Sequence, residues 1–309
     1  MSGAALIEPE IELERQLDAI PAWRGRTKTF DRIQTGITNL NWFVRLKGED
    51  KRYFAKMPGP NTDVFIDREL AHEAARKAAD TGYAPGIVHI ADDGAVEVHE
   101  VLEGFRSCNV ADLLDGEVRR NIAEAYRVIH STQSLSRAKT GFEQLRERLA
   151  QVRQYGGRLP RDVDYLLWQA GRAEQAVNAA GMNLCMCFND AYVTNYMIDC
   201  DRNVRIIDWE YASNNDPYWD LAMFAGETFL DGRALQELIE VHDGTWTPEA
   251  AARVSLYAGV GLLTWGFWAA LQAKISVIPF DFAKYSELLM MRVRAQMASP
   301  RWEEALLEL

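Results

Sequence analysis

Three residues in the middle of the chain have the types and spacing that phosphoryl-transfer chemistry requires. Asp190 and Asn195 stand five apart in Cys187-Phe188-Asn189-Asp190-Ala191-Tyr192-Val193-Thr194-Asn195. Asp208 follows a short hairpin in Ile206-Ile207-Asp208-Trp209-Glu210. A carboxylate at Asp190 can take the proton of an attacking hydroxyl. Asn195 and Asp208 offer the hard oxygen ligands that Mg2+ takes beside a nucleoside triphosphate such as ATP. One Asp that caps a turn, or one that ends a strand, would be ordinary. Their joint spacing, each beside a short strand, points to a site. Glu210 and Asp220 lie just beyond, and Asp220 has the position to cap a helix or brace the catalytic loop.

Other groups would have to serve the same reaction. Gly36-Ile37-Thr38-Asn39 lies between two predicted strands. A Gly there lets the backbone approach a phosphate, and Thr38 and Asn39 can donate hydrogen bonds, although a Gly-bearing hairpin turn is also common. Lys56 ends the next strand and can pair with nucleotide phosphates. Glu73, or as second choice Glu69, is the expected acidic partner of Lys56 on the following helix. Trp265 and Trp268 are three apart on one predicted helix and share a face. Phe280 and Tyr285 follow. Rings at this spacing usually form core, but beside an acid such as Glu227 they can also cage an ammonium group by cation–π attraction.

The elements that must hold these groups are legible in the periodicity. A leading helix is expected over residues 8–20 and strands over Thr29–Ile33, Trp42–Leu46 and Arg52–Met57. Residues 65–81 read as a helix with an apolar stripe of Leu70, Ala74, Ala75, Ala78 and Ala79, ended by Gly82. Strands follow at Ile87–Ile90 and Ala95–Leu102. Residues 108–180 are mainly helical. Short strands return at Asn183–Phe188, Tyr196–Ile198 and Val204–Ile207, and the chain reads helical from Tyr218 onward. This order predicts an α+β fold with residues 1–103 as a small strand-rich lobe and 104–309 as a helical lobe that carries the catalytic hairpin. The cleft between them is the expected ligand site.

The bulk composition narrows the partners. The chain has 309 residues, 48% hydrophobic and 26% charged, the make-up of an ordinary folded protein. A formal net charge of −11 argues against nucleic acid and suits a cationic substrate. Four cysteines do not make a disulfide scaffold, and Cys185-Met186-Cys187 reads as a buried strand in preference to a metal site. No secretory signal is read at the N-terminus, so a cytoplasmic location is expected. Val254–Leu271 is uncharged and long enough to span a membrane, but Trp265, Trp268 and several small residues within it favour a buried helix and no membrane span.

Together these residues resemble the choline/ethanolamine kinase family, within the larger group of aminoglycoside-phosphotransferase-like kinases. The resemblance runs from about residue 30 to 295. It rests most specifically on Asn189-Asp190-x4-Asn195, on Ile207-Asp208-Trp209-Glu210-Tyr211-Ala212, and on the run from Trp265-Gly266-Phe267-Trp268 through Gln272 to Ser276. It implies a two-lobe protein-kinase-like fold and Mg2+-dependent transfer of the ATP γ-phosphoryl to an amino-alcohol hydroxyl, choline first and ethanolamine next. Carried over by position, Asp190 is the base, Asn195 and Asp208 hold Mg2+, Lys56 contacts phosphate, and Glu73 is its helix partner. Glu100 to Leu102 match the hinge that meets adenine. Tyr211, Glu227, Trp265, Trp268, Phe280 and Tyr285 match positions around the ammonium head group. A homodimer is compatible with the sequence.

One position departs from the family pattern. Phe188 stands where the family has a His before Asn-Asp, and its side chain can fill space but cannot hydrogen-bond. His130 is expected to brace a helix and not to supply the missing bond. Two rivals follow: a kinase for another small alcohol (an aminoglycoside, a sugar or thiamine), which would not need the paired Trp, and a kinase-like binding protein without turnover.

Overall fold

The computed structural model describes residues 8–33, 38–230 and 232–309. The sheet-rich part opens with helix α1 (Glu8–Leu17) and strands β1 (Lys28–Ile33), β2 (Asn39–Leu46) and β3 (Arg52–Pro58). After helix α2 (Arg68–Asp80) come β4 (Ile87–Ile90) and β5 (Glu97–Glu100). The strands form one antiparallel sheet in the order β1-β2-β3-β5-β4. Its register sets Lys56 of β3 opposite Glu97 of β5. Leu13 and Leu17 of α1 are fully buried with Trp42, Val44 and Val98, so the leading helix closes a small core on this sheet.

Helix α2 starts at Arg68 and not at residue 65, because Asp67 is its N-cap and accepts from the Leu70 N–H. The residues before it, Phe65 and Ile66, are buried without being helical. Its stripe of Leu70, Ala74, Ala75 and Ala78 is buried as expected, while Ala79 is only half-buried. That stripe joins the large core of the helical part, although α2 lies between strands of the sheet in sequence.

Past a short strand β6 (Arg106–Ser107) and helix α3 (Val110–Leu113), helices α4 (Gly116–His130), α5 (Gly141–Gln154) and α6 (Val163–Ala180) follow. Thr140 and Glu143 form a reciprocal capping box at the start of α5. Four three-residue strands then appear: β7 (Cys185–Cys187), β8 (Tyr196–Ile198), β9 (Val204–Ile206) and β10 (Ser213–Asn215). β7 pairs with β10, and β8 pairs with both β6 and β9. Neither β6 nor β10 was expected from the sequence. Each is two or three residues long and gains its strand geometry from a partner distant in sequence.

The chain closes with α7 (Pro217–Thr228), α8 (Gly232–Asp243), α9 (Pro248–Ile275), α10 (Phe282–Met297) and α11 (Pro300–Glu308). α9 is long and apolar enough to cross a membrane by length and composition, but 78% of its most apolar stretch is buried by other elements of the chain. It is the central helix of the helical part, packed by α5, α7, α10 and α11. A helix hydrophobic on all sides needs such an all-round covering.

Candidate active site

The loop between β7 and β8 carries Asp190 and Asn195. Asn189 holds the turn. Its backbone is left-handed, at φ 66°, a conformation that Asn tolerates better than most residues. Its side chain is fully buried: Nδ2 donates to Tyr211 O at 2.9 Å and to Ser213 Oγ at 2.8 Å, and Oδ1 accepts from Asn215 Nδ2 at 2.9 Å. Asn195 Nδ2 donates to Asp190 Oδ2 at 3.0 Å, which commits the donor end of that amide. Ile207 N–H donates to Asn195 O at 2.9 Å, so the backbone sets Asp208 beside Asn195. Asp208, also left-handed at φ 69°, faces the same cavity. Burial raises the pKa of Asp190 well above its ordinary value, and the nearby negative charge of Asp208 adds to the effect.

Phe188 is fully buried, its ring 5.0 Å from that of Trp209. Besides the Asn189 side chain, two backbone N–H groups hold this loop. Phe188 N–H and Asn189 N–H each donate to the Asp220 carboxylate at 2.7 Å. Asp220 therefore braces the loop, while the N-cap of α7 is Asp216. His130 braces helices as expected, since it contacts His242 of α8 (Gly232–Asp243) and Asp220 of α7. Its Nε2 lies 3.0 Å from Asp220 Oδ2, so it reaches the catalytic loop through that carboxylate. Ninety residues separate the two in sequence, which hid the contact.

Lys56 is buried and meets three acids: Asp208 at 3.2 Å, Glu210 at 3.2 Å and Glu97 at 3.6 Å. Burial opposes its charge, but the three carboxylates outweigh burial and hold it firmly protonated. Glu73 is not its partner. Glu73 bonds Lys77 one turn along α2 and the backbone and hydroxyl of Ser136. Glu69, the second choice, is exposed and pairs with Arg137. The acid that sequence reasoning missed is Glu97, which antiparallel pairing sets across from Lys56. Burial works against the Glu97 carboxylate too, yet Lys56, His72 and His99 keep its pKa well below the usual range. Glu210 Oε1 gathers Arg68 at 2.8 Å and Asn39 Nδ2 at 2.9 Å besides Lys56.

Among the nucleotide-side expectations, Thr38 and Asn39 line the cavity, and Asn39 Nδ2 also bonds Thr38 Oγ1 at 3.1 Å. Gly36 lies outside the described residues. Glu100, Val101 and Leu102 line the same cavity. The Glu100 side chain itself turns to Lys51 at 2.7 Å, and its N–H donates to Gly86 O at 2.9 Å.

The far end of the cavity is aromatic. Trp268 Nε1 donates to the Tyr211 hydroxyl at 2.9 Å, and the Trp265 ring sits 5.1 Å from Tyr211 and 5.6 Å from Trp268, edge-on to both. Phe280 and Tyr285 are 6.0 Å apart on the same wall. Glu227 faces this space from α7. Burial raises its pKa, and Arg292, 3.9 Å away, opposes the rise only in part. Asp190, Asn195, Asp208, Lys56, the four rings, Tyr211 and Glu227 thus line one cavity of about 810 Å³. That volume lies within the ordinary range for small-molecule sites, about 300–1,000 Å³.

This geometry has relatives. The family model described as choline/ethanolamine kinase matches residues 30–243. A probable choline kinase 2 of Arabidopsis thaliana is 22% identical, over 81% of this chain and 79% of its own length. Ethanolamine kinase 2 of Rattus norvegicus is 25% identical, over 86% of this chain and 75% of its own. The crystal structure of a choline/ethanolamine kinase family protein from Mesorhizobium loti matches with a TM-score of 0.81 at 26% identity, covering 97% of this chain and 98% of that one. The shared architecture is the protein-kinase-like α+β fold.

Proposed function

The chain belongs to the choline/ethanolamine kinase family, and on that premise we propose that it transfers the γ-phosphoryl group of ATP to the hydroxyl of a small cationic amino alcohol, choline first and ethanolamine second. The observation that carries this reading is the shared cavity: the carboxylate–amide–carboxylate set at one end and the ring-lined pocket with Glu227 at the other. In that arrangement the ammonium end is held by the rings and Glu227, and the hydroxyl is directed at Asp190. Asp190 accepts the hydroxyl proton as the new O–P bond forms and the bond to the ADP leaving oxygen breaks. Lys56 balances phosphate charge. Positioning and charge neutralisation are most of what a loose phosphoryl-transfer transition state requires.

The donor set fits Mg2+. Asp208 contributes a partly exposed carboxylate, and Asn195 has only its amide oxygen left to offer. These two residues would hold the ion, which supplies charge neutralisation at the phosphates. Residues 1–103 would serve as the nucleotide lobe and 104–309 as the substrate lobe. Choline ranks above ethanolamine because a trimethylammonium gains from aromatic faces without asking for hydrogen bonds, whereas a primary ammonium wants three acceptors. Turnover is favoured over mere binding because the loop's brace runs through the Phe188 and Asn189 backbone and does not need a His side chain at 188.

The test is ADP release with choline, ethanolamine and a panel of other alcohols. Choline should be used best, and a preference for a sugar or an aminoglycoside would sink the assignment. Asp190→Ala should lower kcat by about 10³-fold with ATP binding kept. A nearly active Asp190→Ala enzyme would remove Asp190 from the mechanism.

A further inference from the structure

Four side chains form an unbroken line from the surface to the catalytic loop. His242 Nδ1 contacts Asp243 Oδ1, and His242 Nε2 lies 2.7 Å from His130 Nδ1. His130 Nε2 lies 3.0 Å from Asp220 Oδ2, and Asp220 takes the N–H groups of Phe188 and Asn189. Asp220 and His130 are essentially inaccessible, while Asp243 at the outer end keeps 20% of its side chain exposed.

Counting protons shows what this line requires. Three contacts join the four groups, and each needs one proton. Two carboxylates accept only, and two neutral imidazoles bring one proton each. The line is complete only with a third proton, that is, with one ring as imidazolium. Burial lowers the pKa of His130, and Asp220 offsets this only in part. His242 Nδ1 faces Asp243, whose other oxygen accepts from the Tyr218 hydroxyl at 2.8 Å. His242 then donates to His130 Nδ1 and fixes the tautomer in which His130 Nε2–H points at Asp220.

We propose that His242, acting through His130 and Asp220, is a positioning residue for Asp190, and that its contact with His130 completes the brace of the catalytic loop. The proposal rests on the kinase reading above. It places the hydrogen bonding that a His at position 188 cannot provide here on a line entering from behind the loop. The other groups facing the line are accounted for. Tyr126 of α4 stacks on His130 at 5.6 Å and is itself bonded to Tyr196. Asp216 of α7 is paired with Arg253 at 3.1 Å. Cys185 and Cys187 of β7, with sulfurs 3.8 Å apart, lie close enough to His130 to suggest a metal cluster. Both His130 nitrogens are already engaged, so a metal there would have to break the line.

The test uses the full chain with His242→Phe, which keeps bulk without a donor, and His242→Gln, which keeps an N–H toward His130. Phe should lower kcat at least about tenfold and change the KM values for ATP and choline less than about twofold, since the loop is displaced and not the ligand pockets. Gln should restore most of kcat. Amide hydrogen exchange at Phe188 and Asn189 should quicken in the Phe variant and not in the Gln variant. If Phe fails to fold, Asp243→Asn tests the same point, because it removes the carboxylate that orients the His242 ring and should likewise lower kcat and quicken exchange at Phe188 and Asn189. A parent that phosphorylates no amino alcohol overturns the kinase reading, while the exchange data still judge the brace. Parent-like kcat and exchange in His242→Phe, or tight one-to-one zinc binding that depends on Cys185 and Cys187, would overturn the proposal.

Discussion

Glu227 carries the recognition question in a single side chain. It is partly buried on α7, and its ion-pair partner among the described residues, Arg292, stands 3.9 Å away. Burial therefore raises its pKa above the ordinary Glu value of about 4.3. Choline has no titratable proton, so any pH dependence of its binding comes from the groups that line the cavity. The neutral acid dominates below the raised pKa and the carboxylate above it, so KM for choline should fall as pH rises through that region. Glu227→Gln should raise KM at neutral pH and flatten its pH dependence. A Gln variant that keeps the parent's slope would show that another group sets it. Trp268 is fixed differently: its indole N–H is spent on the Tyr211 hydroxyl, which leaves the ring available for van der Waals and cation–π contact.

At the scale of elements, α9 shows what a single sequence does and does not reveal. Its uncharged run was legible as a buried helix because Trp265, Trp268 and three glycines break the pattern of a membrane span. The neighbours of those glycines were not legible. A Cβ on Gly259 would meet Trp302 Cζ3 at 2.5 Å, while one on Gly266 would meet the flexible Met290 methyl at 2.6 Å. An indole cannot yield as a thioether can. Gly259→Ala should therefore cost about 1–3 kcal/mol in denaturant unfolding and Gly266→Ala clearly less. Equal losses would mean that the helix shifts as a whole. The same divide runs through the site. Asp190, Asn195 and Asp208 were readable because nineteen residues and one hairpin hold all three. The Lys56 partner was misassigned to Glu73 because helix spacing is local information, whereas Glu97, forty-one positions on, becomes its neighbour only through strand pairing. His242 comes to His130 across 112 residues, a distance over which no periodicity speaks.

Across the whole molecule, the sheet-rich part and the helical part meet along α2. This helix belongs to the first part in sequence, but its apolar stripe is buried in the large core of the second. Glu73 extends that attachment with polar contacts: both its oxygens accept from the Ser136 N–H at 3.0 Å, and its Oε2 also accepts from the Ser136 hydroxyl at 2.6 Å. Lys77 joins it at 2.7 Å and donates as well to Ser134 O at 2.6 Å. Burial works against this carboxylate, but Lys77 and Ser136 prevail and its pKa falls to about 2. The folded pKa is thus depressed. Its stabilisation is complete above the unfolded value near 4.5 and is lost as pH falls from there towards about 2. The side chain is still 27% accessible, so the contribution at neutral pH is no more than about 1–2 kcal/mol after solvent screening. Glu73→Gln should be less stable than the parent by that margin at neutral pH in urea unfolding, and the gap should narrow steadily as pH is lowered below 4.5. If α2 instead held its place through its buried stripe alone, the two proteins would unfold together at every pH, and Leu70→Ala would be the only one of these substitutions to separate it from the helical core.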